Sequence, residues 1–71
     1  MEFDYSKLKG LIVEKYGTQS KFAEALGVAP LTVSRKLNGE TGFDRDDILI
    51  WSKLLDIKIE DISDYFFVQK V

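Results

Sequence analysis

The sequence contains no cysteine and no histidine. Without cysteine the chain has no disulfide bonds and no thiol nucleophile. Without both residues it lacks the usual zinc ligands and the commonest general base near neutral pH. It also carries no phosphate-binding glycine loop, no nucleophile paired with a base and no carboxylate pair with an evident pocket. We therefore expect a protein that is not an enzyme and that uses no metal and no cofactor.

Long apolar runs are missing as well. No segment approaches the roughly 20 apolar residues that span a bilayer, and the beginning of the chain, MEFDYSKLKG, holds no signal-peptide hydrophobic region. These absences predict a cytoplasmic protein that does not bind membranes. The acids Asp44, Asp46 and Asp47 lack the glycine and terminal glutamate of a calcium loop, so we interpret them as helix-capping residues.

The sequence does have enough apolar material for one small domain. Of its 71 residues, 45% are hydrophobic and 13% are aromatic. A chain this short must pack its helices around one shared core. We therefore expect a single domain over residues 1–71, with Trp51, Tyr65, Phe66 and Phe67 inside it.

Charge is distributed unevenly along the chain, whose formal net charge is −2. Residues 1–39 carry six basic and four acidic side chains, whereas residues 40–71 carry four basic and eight acidic ones. Phosphate contacts to nucleic acid are made by Lys and Arg. The first half can therefore face a polyanion while the second half faces away from it.

Hydrophobic spacing and capping residues predict five helices. Asp4 or Ser6 can cap the first, Thr18 the second and Asp44 the fourth, while Pro30 suits the first position of the third. The final six residues are also compatible with an extended strand. The predicted helices cover residues 5–16, 19–26, 30–38, 45–55 and 60–65.

The second and third helices are short and are separated by a turn that contains Gly27. Such a turn makes the second helix of the pair cross the first and project from the surface, where it can enter a DNA major groove. The small side chain of Ala23 lets the two helices cross closely. We expect a helix-turn-helix over about residues 19–38.

The segment QSKFAEALGVAPLTVSRKLNG, residues 19–39, resembles the Cro/repressor-type (XRE-like) helix-turn-helix family, and the whole chain is similar to small phage transcriptional regulators of that group. The resemblance implies an all-α, compact five-helix, lambda-repressor-like fold. It also implies binding to double-stranded operator DNA as a homodimer, because one such helix reads only a few base pairs.

The resemblance also implies which residues touch DNA. Gln19 would bond a phosphate at the start of the second helix, with Ser20 and Lys21 assisting. The third helix would supply the remaining contacts. Thr32, Ser34 and Arg35 would meet base edges there, whereas Lys36 and Asn38 would meet phosphates.

Pro30 and Leu31 depart from the family pattern, which often has polar side chains at these two positions. Neither side chain can donate or accept a hydrogen bond, so direct readout there is limited to thymine methyl groups. Three interpretations of Leu31 stay open: contact with a thymine methyl, contact with a protein partner, or an ordinary exposed leucine. Leu31 completes the candidate DNA-binding set.

Two functions follow as hypotheses. The first is a phage or prophage Cro-like transcriptional regulator that binds operator DNA through the helix-turn-helix. The alternative is an antirepressor or modulator that binds a phage repressor protein and alters its operator binding within a genetic switch. The negative net charge, the pair Pro30 and Leu31 and the acidic second half favour this alternative, because an acidic face can pair with a basic DNA-binding partner.

Overall fold

Five α-helices and one short 3-10 turn form the protein in a computed structural model, which describes residues 3–70. The predicted all-α, five-helix fold is confirmed. The fifth helix is shorter than the predicted 60–65, because its first turn is a separate 3-10 helix. The elements are α1 (Ser6–Tyr16), α2 (Gln19–Leu26), α3 (Pro30–Leu37), α4 (Arg45–Leu55), the 3-10 turn (Ile59–Asp61) and α5 (Ile62–Phe66).

One apolar core lies at the centre of all five helices. Its aromatic members meet edge to face: Trp51 contacts Phe22 with ring centroids 4.9 Å apart and Phe43 with centroids 4.8 Å apart. Such pairs contribute about 0.5–1.5 kcal/mol beyond the burial of their area. The buried apolar residues are Leu8, Ile12, Phe22, Ala23, Val33, Leu37, Trp51, Leu55 and Phe66.

The four aromatic residues expected inside the domain behave differently. Trp51 and Phe66 are buried, as predicted, and Tyr65 is partly buried against the core. Phe67 is exposed, so the prediction was wrong there. The reason is that α5 ends at Phe66 and the chain leaves the helical path at the next residue. The ring of Phe67 then packs edge-on against Phe3, with centroids 5.9 Å apart.

Side chains cap two of the helices as the sequence predicts. The Thr18 hydroxyl accepts a hydrogen bond from the Lys21 backbone N–H at 3.1 Å, and Asp44 forms a reciprocal capping box with Asp47. The N-cap of α1 is Tyr5, whose side chain forms no cap bond. Asp4 instead accepts from the backbone N–H of Ser6 at 2.8 Å and from its hydroxyl at 2.6 Å. These two bonds lower the pKa of Asp4.

Within residues 3–70, the first and last segments meet at one antiparallel bridge between Phe3 and Gln69. The Asp4 backbone N–H donates to the Val68 carbonyl at 2.6 Å. The segment after α5 is therefore extended without forming a strand within residues 3–70, and Val71 lies outside the described residues. In that same part of the chain, the structure has no helix with the length and hydropathy required to cross a bilayer.

Candidate partner-binding surface

The turn between α2 and α3 sets the position of α3. Gly27 ends α2 in the left-handed conformation, with φ 79° and ψ 28°. Its N–H donates to the Ala23 carbonyl at 2.9 Å, and the next N–H, from Val28, donates to the same carbonyl at 3.0 Å. Ala29 is extended, which the following proline requires, and Pro30 begins α3. The hydrogen bonds from Gly27 and Val28 to the Ala23 carbonyl end α2, and the chain changes direction within three residues.

Helix α3 lies at the surface. Val33 and Leu37, one turn apart, are buried in the core. The opposite side carries Leu31, which is 57% exposed, together with exposed Thr32 and Arg35. A partner can therefore reach this side of α3.

The candidate residues at the start of α2 lie outside the core. Ser20 and Lys21 are exposed and Gln19 is partly buried. The backbone N–H of Lys21 already donates to Thr18, so it is not open to an added ligand. The side chains of Gln19 and Lys21 remain available at the surface.

The candidate polar residues of α3 do not share one environment. Arg35 is exposed and forms no ion pair with any residue between positions 3 and 70. The Asn38 amide donates a hydrogen bond to the Ser34 hydroxyl at 3.3 Å, so these two side chains are hydrogen-bonded to each other rather than to solvent alone. Lys36, by contrast, is largely turned inward.

Lys36 forms an ion pair with a residue of α4. Its Nζ lies 2.7 Å from an Asp47 carboxylate oxygen and 3.1 Å from the Gly42 carbonyl, and 5.7 Å from the centre of the Phe43 ring. Partial burial acts to raise the pKa of Asp47. Hydrogen bonds from Lys36 and from the Asp44 backbone N–H, together with the Lys36 charge, outweigh this effect and lower that pKa. The positive charge of Lys36 is therefore largely neutralised within the protein.

A small depression of about 120 Å³ lies where α3 and α4 meet the end of α2. We call it the α3–α4 groove. Two exposed aliphatic side chains, Val28 and Ile50, line it, and the ion pair of Lys36 with Asp47 belongs to its wall. The lining residues are Leu26, Val28, Thr32, Lys36, Asp47, Ile50 and Trp51.

Of the residues that line the groove, Thr32 and Lys36 belong to the set predicted from the sequence, whereas Val28 and Ile50 do not. The sequence did indicate that Ile50 is exposed, because this residue does not belong to the apolar stripe of α4. That stripe is formed by Ile48, Trp51, Leu54 and Leu55. An isoleucine outside the stripe of an amphipathic helix is an exposed apolar residue, and several of these together mark an interaction surface. Leu49, next to it, is also exposed.

A second depression, of about 290 Å³, lies between the paired chain ends and the loop after α3. Five aromatic side chains line much of it, and burial raises the pKa of one of them, Tyr5. It is separate from the α3–α4 groove, with no lining residue in common. Its aromatic residues are Phe3, Tyr5, Phe43, Phe66 and Phe67.

The fold is a small all-α protein with a surface α2–turn–α3 unit, and comparison with known proteins places it in a family. The chain belongs to the family described as a protein of unknown function (DUF739), whose profile matches residues 1–69. No curated protein matches the chain.

Among solved structures, the chain is similar to the modulator of repression (MOR) of the temperate bacteriophage TP901-1 from Lactococcus lactis, determined in solution. The two are 46% identical and superpose with a TM-score of 0.84, over 100% of this chain and 96% of the other. The likeness therefore includes every helix described above.

Proposed function

We propose that this protein is a phage modulator of repression, which binds a repressor protein and alters the repressor's binding to operator DNA. The observation that carries this proposal is the similarity to a modulator of repression along the whole chain, at 46% identity. It favours the second of the two functions considered from the sequence over direct Cro-like binding of DNA.

The charges on the surface of α3 support the same choice. Affinity for DNA comes largely from cations that contact phosphates. Of the two cations in α3, Lys36 is paired with Asp47 at 2.7 Å, which leaves Arg35 as the one directed to solvent. Leu31, one turn before Arg35 on α3, and Val28, in the turn before α3, are apolar and exposed. Such a surface is better matched to a protein than to a phosphate backbone.

Co-elution with the repressor of the phage or prophage that encodes this protein tests the proposal. We expect the two purified proteins to elute together from a size-exclusion column in the absence of DNA. We also expect the repressor's affinity for its operator, measured by fluorescence anisotropy at fixed salt, to change when this protein is added. Separate elution at micromolar concentrations, with unchanged operator affinity, would contradict the proposal.

Direct operator binding as a homodimer is the second candidate function. Gln19 and Lys21 on α2 and Arg35 on α3 favour it, because they reach the surface from the same α2–turn–α3 unit. If it is correct, the protein alone binds operator DNA with an affinity that falls steeply with salt, and Arg35→Ala weakens that binding. Lys58→Ala, a change at an exposed lysine between α4 and α5, is the matched control. Equal effects of the two substitutions would count against this candidate.

A further inference from the structure

The α3–α4 groove has the size of a site for one side chain. Its volume is about 120 Å³. Pockets that hold small-molecule ligands or cofactors are larger, at about 300–1,000 Å³. Apolar cavities of about 150 Å³ hold a benzene-sized group. The groove therefore fits one aliphatic side chain carried by a larger partner.

The opening of the groove is apolar. Val28 and Ile50 are 40% and 53% exposed, and Leu31, 57% exposed, lies beside the lining residue Thr32 on α3. Val28 and Ile50 at one depression, with Leu31 exposed on the adjoining helix, are apolar area that is unfavourable to leave in water. A partner that covers them gains affinity by removing this area from solvent.

One charge beside the groove, at the N-terminal end of α4, favours a basic partner. Lys36, the one cation among the described residues that line the groove, is already paired with Asp47. Asp46 precedes Ile50 by four residues on α4, so the two side chains lie on the same side of that helix. Asp46 is exposed and forms no ion pair with any residue of the described segment 3–70. The Asp46 carboxylate attracts Lys or Arg at the N-terminal end of α4, whereas the exposed cations Arg35 on α3 and Lys53 near the end of α4 act in the opposite sense.

We propose that the α3–α4 groove receives one aliphatic side chain from a basic helix of the repressor, with a Lys or Arg about one turn away on that helix facing Asp46. The proposal rests on the proposed function, because it assigns part of the surface that holds the repressor. A repressor supplies helices of this kind, since its own operator binding requires Lys and Arg. An apolar residue and a basic residue one turn apart lie on the same face of such a helix.

Two neighbouring leucine-sized side chains on α4 provide a matched test. Ile50 and Leu49 are 53% and 51% exposed, yet only Ile50 lines the groove. We expect Ile50→Lys to weaken repressor binding about tenfold or more, as for a central interface residue, and Leu49→Lys to weaken it less than about threefold. Thermal unfolding of both variants checks that the fold is kept. Equal affinities of the two variants would overturn the groove assignment.

The result for the unmodified protein separates the two proposals. If it does not bind the repressor, the proposed function fails, and the groove assignment fails with it. If it binds and Ile50→Lys binds equally well, only the groove assignment fails. An Ile50→Lys variant that gains affinity for operator DNA while keeping its repressor affinity would identify the groove as a nucleic-acid contact, which also overturns the assignment.

Asp46 gives an independent measurement. Asp46→Asn removes the charge and keeps the size of the side chain. We expect it to slow association with the repressor and to make that association less sensitive to salt, because charges near an interface act mainly on the association rate. Asp64→Asn, at an exposed position of α5, is the control. An unchanged salt dependence in Asp46→Asn would contradict the charge pairing.

Discussion

Replacing glycine by alanine should have opposite effects on stability at Gly27 and at Gly10, because the two glycines differ in backbone conformation. Gly27 has φ 79°, whereas Gly10 lies inside α1 without a positive φ. A Cβ added at either position would meet no atom within 4 Å. Changing each glycine to alanine therefore tests backbone conformation alone, without new contacts in the folded state.

The expected magnitudes follow from the two conformations. In Gly27→Ala, the left-handed conformation costs about 1–2 kcal/mol for an L-residue. The reduced freedom of the unfolded chain offsets about 0.4–1 kcal/mol of that. The net result is a loss of about 1 kcal/mol in the free energy of unfolding. In Gly10→Ala, the better helix propensity of alanine adds about 1 kcal/mol.

Thermal unfolding followed by circular dichroism measures both changes. For a domain of this size, 1 kcal/mol shifts the Tm by about 4–8 °C. We expect a Tm about that much lower for Gly27→Ala and about that much higher for Gly10→Ala. Urea unfolding should give equal m-values for both variants and for the unmodified protein. A Gly27→Ala protein as stable as Gly10→Ala would refute the left-handed turn and, with it, the position of α3.

Three further predictions concern side chains. Ser52→Ala should stabilise the protein by about 1 kcal/mol, because the buried Ser52 hydroxyl has no hydrogen-bond partner within the described residues; destabilisation in urea would contradict this. Tyr16→Phe should destabilise by about 1 kcal/mol, since it removes a 3.0 Å bond to the Leu54 carbonyl; an unchanged urea midpoint would disagree. The lowered pKa of Asp47 stabilises the fold above the ordinary carboxyl pKa of 3.8, and this contribution disappears as the pH falls through the lower folded value. Asp47→Asn should therefore reduce the loss of stability on acidification, as measured by urea midpoints between pH 7 and pH 3.

Helix positions were largely predictable because they depend on nearby residues. A cap acts over three positions, as Thr18 does on Lys21, and an apolar stripe repeats every three or four residues. The bounds predicted for the second and fourth helices agree with those of α2 and α4. The predictions were weaker at the end of the chain, because α5 is only five residues long and packing decides where it stops. The exposure of Phe67 is one consequence.

The candidate site was predictable only in part. The sequence alone determined that a short helix follows Gly27 and Pro30, because one tolerates a positive φ and the other starts a helix favourably. It also determined that Val33 and Leu37 share one face of that helix. Only the tertiary structure decided that Lys36 pairs with Asp47, and that Val28 and Ile50 line one groove. Capping and apolar periodicity act only between residues that are close in sequence, so they do not predict contacts across the loop between α3 and α4. Those contacts depend on how the two helices pack against the core.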